Sequence, residues 1–188
     1  MLDLDIYLNN NYQVFFVSDN HFFHSNIIKY CNRPFKDVDE MNREMIKRWN
    51  AVVGPNDIVF CLGDFCLGTK ENIIEIGKQL NGTKFLIKGN HCRGTKKTYK
   101  EAGFKEVYNQ GIDVFYTMLG VIHLSHYPIH HEFKTYDNIL FNIHGHIHSP
   151  VLFDDDKPGK ICVSVEATDY APINIKEIVN LYYKNYIK

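Results

Sequence analysis

Hydrophobic positions follow two periods along this chain. Over Gln13–Ser18, Asp57–Leu62 and Lys84–Lys88, short apolar runs give way to Asp, Gly or Asn, as buried strands do where they open into loops. Between them the spacing widens to three and four. Asp37 stands three residues before Glu40 in capping-box spacing, and Val38, Met41, Met45, Trp49 and Val52 then share one helix face, stopped by Gly54-Pro55. Thr69 caps a second helix through Leu80, with Ile73 and Ile76 inward and Asn81-Gly82 as its exit. Downstream the pattern is mostly strand: Phe104–Tyr108, Ile112–Met118, Gly120–Ser125, Ile139–Ile143, then Val151–Phe153 and Ile161–Val165 joined by a turn over Asp154–Gly159. Ile175 to Tyr186 reads as a closing helix. Helix–strand alternation followed by strands predicts an α/β chain of two packed sheets with helices outside.

Composition changes this picture little. The 188 residues are 45% hydrophobic and 23% charged, enough for one sizeable core, and no repeat or linker divides them, so residues 1–188 read as a single domain. A net charge of -1 gives no global pull toward nucleic acid or a membrane surface. No apolar run approaches the roughly 20 residues that span a bilayer, and the start, Met1-Leu2-Asp3-Leu4-Asp5, lacks the form of a signal peptide. Five scattered cysteines without a CxxC pair fit reduced thiols and a cytoplasmic location.

The chemistry lies where predicted strands end. Five blocks occur in order: Asp19-Asn20-His21, Gly63-Asp64, Gly89-Asn90-His91, Ser125-His126 and Gly145-His146-Ile147-His148. Ligands in open α/β sheets collect beyond the carboxyl ends of strands. Asp19 and His21, one residue apart in extended chain, leave the same side of the backbone, as do His146 and His148. Asp64 follows a glycine that permits close approach, and its two oxygens suit a bridge between cations. Two divalent ions against the carboxylates of Asp19 and Asp64 leave a positive centre that attracts a phosphoryl group and makes hydroxide available near neutral pH. Mixed nitrogen and oxygen donors suit manganese, iron, zinc or nickel.

Taken together, the blocks resemble the calcineurin-like metallophosphoesterase superfamily, over Asp19 to His148. The resemblance implies a four-layer α/β/β/α sandwich of two mixed sheets with flanking helices. It implies one metal on Asp19, His21, Asp64 and His148, a second on Asp64, Asn90, His126 and His146, and His91 as the residue that meets the phosphate and protonates the leaving group. The runs around His24, Arg33-Pro34-Phe35 and Tyr170-Ala171-Pro172 are similar to small phage and bacterial members of uncharacterised substrate. Two departures stand out. Cys92 replaces the acidic residue that usually follows Gly-Asn-His, and Gly63-Asp64-Phe65-Cys66 lacks the Asp-Arg pair of Ser/Thr protein phosphatases, which argues against that branch.

The expected activity is therefore hydrolysis of a small, nucleotide-like phosphodiester by a metal-held hydroxide. A phosphomonoesterase, a nuclease and a non-catalytic docking module of the same fold are the alternatives. His24 and Arg33 are candidates for touching substrate phosphate, or else surface packing; Asn90 serves substrate as well as metal. Phe22, Phe23, Tyr127 and Tyr136 are candidates to stack a base, or else core. Lys84, Lys88, Arg93, Lys96, Lys97 and Lys100 form either a basic rim or a solvated loop. His144 reads as a core histidine, and His123, His130 and His131 as structural or solvated. Asp154–Asp156 lacks the spacing of a calcium loop, and Gly68-Thr69-Lys70 has the wrong order for a P-loop.

Overall fold

Strands buried on both faces alternate their side chains between two cores, and here the alternation is strict. The computed structural model describes residues 1–129, 139–154 and 157–187. The first part of the chain forms β1 (Leu2–Asp3), α1 (Leu4–Asn9), β2 (Val14–Val17), α2 (Ser25–Tyr30), α3 (Val38–Val52), β3 (Ile58–Cys61), α4 (Lys70–Gln79), β4 (Thr83–Ile87) and α5 (Lys96–Glu101). Then come β5 (Phe104–Tyr108), β6 (Ile112–Tyr116), β7 (Gly120–Leu124), β8 (Ile139–His144), β9 (Phe153–Asp154), β10 (Lys157–Cys162), β11 (Ile173–Asn174) and α6 (Ile175–Tyr186). They build two mixed sheets, ordered β11-β2-β3-β4-β5 and β1-β6-β7-β8-β10-β9. Phe15, Val17, Val59, Cys61 and Leu86 face a core shared with Met41, Met45, Trp49 and Ile73 of the helices. Val14, Phe16, Ile58, Phe60, Phe85 and Ile87 face the opposite way, against Val114, Ile122, Leu124, Phe141 and Ile143 of the other sheet. Leu4 of α1 and Ile175, Ile178 and Val179 of α6 join that second core. The result is the expected α/β sandwich of two mixed sheets with flanking helices.

Caps set the helix ends. Asp37 accepts the Glu40 N–H at 2.8 Å, while the Glu40 carboxylate reaches back to the N–H of Lys36 rather than of Asp37. Thr69 and Asn72 close a full reciprocal box at the start of α4.

Register places the site. Val17 pairs with Cys61 and Cys61 with Leu86, so β2, β3 and β4 end side by side, and Asp19, Asp64 and Asn90 emerge from one edge. In the second sheet Leu124 pairs with Ile143, and Ile143 with Ile161, which brings His126 and His146 out together. The two sheets are stitched at this edge: Ser18 donates to the Val163 carbonyl at 2.9 Å, and Val165 donates to the Ser18 carbonyl at 3.1 Å.

Several elements depart from expectation. The helices α1, α2 and α5 have six residues each, too few for a period to declare itself. The two-residue strands β1 and β11 are equally silent in sequence. Lys157, Pro158 and Gly159 belong to β10 rather than to the turn, and Asp155 and Asp156 lie outside the described residues. Among the described residues no helix is long and apolar enough to cross a membrane.

Candidate metal centre

The loops at the shared edge hold an unusual backbone. Asp19, His21, Asp64, His146 and His148 have φ of 57°, 51°, 49°, 73° and 48°. L-residues avoid this region, and a cluster of such residues persists only where the surroundings over-determine it. Here neighbouring loops fix one another: Asp19 donates its N–H to the Gly63 carbonyl at 3.1 Å, and His21 to the Asp64 carbonyl at 2.8 Å. The N–H of His146 reaches Asp19 Oδ2 at 2.9 Å. Close approach needs the glycines: a Cβ at Gly63 would stand 2.4 Å from His126 Nδ1, and one at Gly89 2.3 Å from Asp64 Oδ1.

Asp64 sits at the middle. Its Oδ1 accepts the His91 N–H at 2.8 Å, while Oδ2 lies 3.6 Å from His21 Nε2 and 3.4 Å from His126 Nε2. His126 hydrogen-bonds the Leu62 carbonyl through Nδ1 at 2.9 Å; since a carbonyl only accepts, the neutral ring keeps its lone pair on Nε2. That lone pair faces Asn90 Oδ1 at 2.9 Å, itself an acceptor from Tyr127 Oη at 3.2 Å. His148 repeats the arrangement, with Nδ1 on Glu166 Oε1 at 3.1 Å and Nε2 turned toward Asp19 Oδ1 at 3.9 Å. Acceptors converging on acceptors repel unless a cation shares them. Asp19 Oδ1 and His21 Nε2 are moreover buried without a hydrogen-bond partner, a cost of about 1–3 kcal/mol each if left so. Donor atoms of Asp19, His21 and His148 lie within 4.8 Å of one another, as do those of Asp19, Asp64 and His126. Asp19 belongs to both groups, and the mix of carboxylate and imidazole donors is one that could hold divalent cations. His146 joins the second group's wall, its ring 5.1 Å from that of His126 and 4.5 Å from Tyr127.

Burial and charge set the protonation of these groups. Burial pulls His21 down to a pKa of about 3, against the opposing pull of Asp64, so the ring is neutral at ordinary pH. Burial also leads the lowering of His146, with His126 adding to it. For Asp64, burial pushes the carboxyl up, but the protonated form of His126, which can donate from Nε2, and the His91 N–H outweigh it, and the net shift is downward. His126 and His148 move up: burial opposes this, and the Asp64 and Glu166 carboxylates respectively overcome it.

Arg33 requires a correction. Its guanidinium is 0% exposed and fully engaged, Nε and Nη2 on Glu166 Oε1 at 2.9 and 2.8 Å, Nη1 on the Asn20 carbonyl, and Nη2 on the Asp19 carbonyl. It braces the Asp19 loop from behind and does not face substrate. Tyr170 lies between Arg33 and Arg48, 5.9 and 5.8 Å from their guanidinium carbons. The carboxylate of Glu166 is held at a pKa of about 2, because the His148 hydrogen bond and Arg33 overcome its burial. Glu166 and Ser164, whose Oγ donates to Asp19 Oδ2 at 2.7 Å, carried no sequence signal, since no spacing links them to the motifs they support.

The remaining candidates separate. His24 is half-buried, with Nδ1 3.2 Å from His21 Nδ1 and its ring 6.5 Å from that of His91. His91 is exposed on the lip, 5.5 Å from the His21 ring. Cys92 turns inward, buried, and accepts the Gly89 N–H, so it does not take the place of the usual acid beside His91. His144 is a core residue bonded to the Gly145 carbonyl, and His123 pairs with Asp113. Phe22 is core and Phe23 packs against it, whereas Tyr127 stays exposed at the site. His130, His131 and Tyr136 lie outside the described residues. Beside the donors opens a cleft of about 500 Å³ that reaches His24, Ile27, Tyr30, Leu67 and Arg93.

No protein-family model matches the chain. Three proteins to which it is similar carry names that state no activity. The crystal structure of a protein of unknown function, AQ665 from Aquifex aeolicus, superposes with a TM-score of 0.70 at 29% identity, covering 91% of this chain and 100% of that one. The gene 66 protein of Mycobacterium phage L5 is 28% identical over 73% of this chain and 78% of its own length. The uncharacterized protein MJ1445 of Methanocaldococcus jannaschii is 37% identical over 92% of each chain. With that identity over nearly the whole length, the chain belongs to the same family as the archaeal protein MJ1445.

Proposed function

We propose that this protein is a metal-dependent phosphoesterase of the calcineurin-like kind, acting on small phosphodiesters before phosphomonoesters. The observation that carries the reading is Asp64, whose one carboxylate oxygen stands 3.6 and 3.4 Å from the Nε2 atoms of His21 and His126, beside the unpartnered Asp19 Oδ1 and His21 Nε2. Asp19, His21, Asp64 and His148 would hold one divalent cation, and Asp64, Asn90, His126 and His146 the other. When bound, such a pair supplies Lewis acidity toward a phosphoryl group and lowers the pKa of water.

The chain's own residues do the rest. Leu62 and Glu166 fix the tautomers of His126 and His148, so that Nε2 of each is presented to the centre. Asp64 anchors the His91 backbone, which keeps that exposed ring over the cleft, where it can donate a proton to the departing oxygen. Tyr127 orients Asn90. We place the protein in the cytoplasm, in keeping with its five free cysteines.

Support for a nuclease is thinner than the basic segment suggests. Lys84 is buried and donates to the Leu80 and Gly82 carbonyls, while Lys96 and Lys100 pair with Glu106. Assays of an aryl phosphodiester and an aryl phosphomonoester, each with and without manganese, test the proposal. Manganese-dependent turnover, faster on the diester, is expected. Folded protein that turns over neither would count against it.

A further inference from the structure

A phosphoryl group at the metal centre fills only part of a cleft of about 500 Å³, a size that accommodates a whole small organic ligand. Beyond the donors the lining runs through His91, the residue assigned to the leaving oxygen, to His24, Tyr30 and Arg93, which is where a leaving group would sit. Its walls are specific. Tyr30 exposes 73% of its surface, edge-on to His24 at 6.2 Å, and Ile27 and Leu67 add apolar surface. Arg93 stands on the same lip, and among the described residues nothing pairs with its guanidinium. Among the described residues no carboxylate lines the cleft apart from Asp64.

The geometry points to a leaving-group subsite made by His24, Tyr30 and Arg93, and we propose that it takes a nucleoside carrying a second phosphate. This rests on the phosphoesterase reading. An exposed aromatic ring beside apolar surface offers a base a stacking platform, which a simple sugar phosphate or glycerol ester would leave unused. A free guanidinium recognises a phosphate through two parallel hydrogen bonds. Among the described residues Arg93 is the one Lys or Arg that lines the cleft, which argues for one nucleotide rather than a tracked polymer, because a backbone groove needs a run of free cations. Arg93 thus selects the substrate, while the metal ligands act on its scissile phosphate.

The test compares calorimetric binding of adenosine 3′,5′-bisphosphate and of AMP to the manganese-loaded protein. One phosphate of the bisphosphate takes the metals and the other takes Arg93, so it should bind about tenfold or more tighter than AMP. Arg93→Gln should remove that advantage, and Tyr30→Ala should weaken both ligands together. Lys97→Gln, which changes an equally exposed charge outside the cleft, should leave the ratio as it is. The subsite is overturned if AMP matches the bisphosphate in the wild type, if Arg93→Gln keeps the ratio, or if Lys97→Gln abolishes it equally. An oligonucleotide that binds more tightly than the bisphosphate, with affinity collapsing as salt rises, overturns the mononucleotide limit. AMP binding that ignores manganese would instead sink the metal reading, while the bisphosphate ratio still decides the role of Arg93.

Discussion

The two halves of the centre are built differently. On one side Asp19, His21 and Asp64 are each at most 2% exposed, and His148 is pinned by Glu166, which Arg33 ties back to the Asp19 loop. On the other, apart from the shared Asp64, only His126 is buried. Asn90 and His146 are exposed, and their support is the phenol of Tyr127 and one edge-on ring contact. Burial and bracing make a rigid donor set whose ordering cost is met on folding, whereas exposed donors lose side-chain freedom when they bind. One cation should therefore be held tightly and the other loosely, with the loose one on the side open to exchange.

The largest effect should come from the residue shared by both halves. Asp64→Asn should lower manganese-dependent turnover by about three orders of magnitude or more, with calorimetry showing both binding steps weakened, because in the proposed centre one carboxylate would serve both sites. Glu166→Ala comes next. It strands the Arg33 guanidinium inside the protein, so stability in denaturant should fall by about 3–5 kcal/mol. The gentler Glu166→Gln should weaken the tight step by roughly 10–100-fold and leave the weak step in place. If both steps weakened equally, the contrast between the halves would be lost.

Acid should expose the same contrast in metal-free protein. His21 has a folded pKa of about 3 against an ordinary 6.5, so between these values the unfolded chain binds more protons and stability falls as pH drops. Glu166, at about 2 against 4.5, adds a loss over its own window in the same direction. His126 and His148, shifted upward, act oppositely, stabilising below 6.5 and losing that contribution as pH rises through their folded values. Urea midpoints measured from pH 7 to 3 should thus decline, and Glu166→Gln should flatten the decline below about pH 4.5. Smallest of all, Tyr127→Phe should cost the loose site a few-fold in metal affinity, roughly one hydrogen bond's worth, and leave the tight site unchanged.

Much of this was legible in the chain, unevenly. The five blocks could be read because strands that end in register deliver their next residues to one edge, so order along the chain becomes proximity in space. The 15-residue α3 declared itself by its period, and β2–β4 by short apolar runs that end in Asp, Gly or Asn. What escaped was support that acts across the fold. Glu166 lies 133 residues from Arg33 and 18 from His148, and no local pattern couples them. Arg33 read as either a phosphate contact or surface packing because an arginine before a proline reads as an exposed loop; its burial follows from the Glu166 carboxylate and two loop carbonyls that only folding brings to it. The left-handed backbone at Asp19, His21 and His148 was equally hidden, since these residue types carry no preference strong enough to announce it.

The central claim is that Asp64 joins two cation sites of unequal strength. Titration of manganese into metal-free protein, followed by calorimetry and elemental analysis of the dialysed product, tests it most directly. The account predicts two ions per chain binding in separate tight and weak steps, with Asp64→Asn impaired in both. A single site, equal sites, or binding indifferent to Asp64→Asn would contradict it.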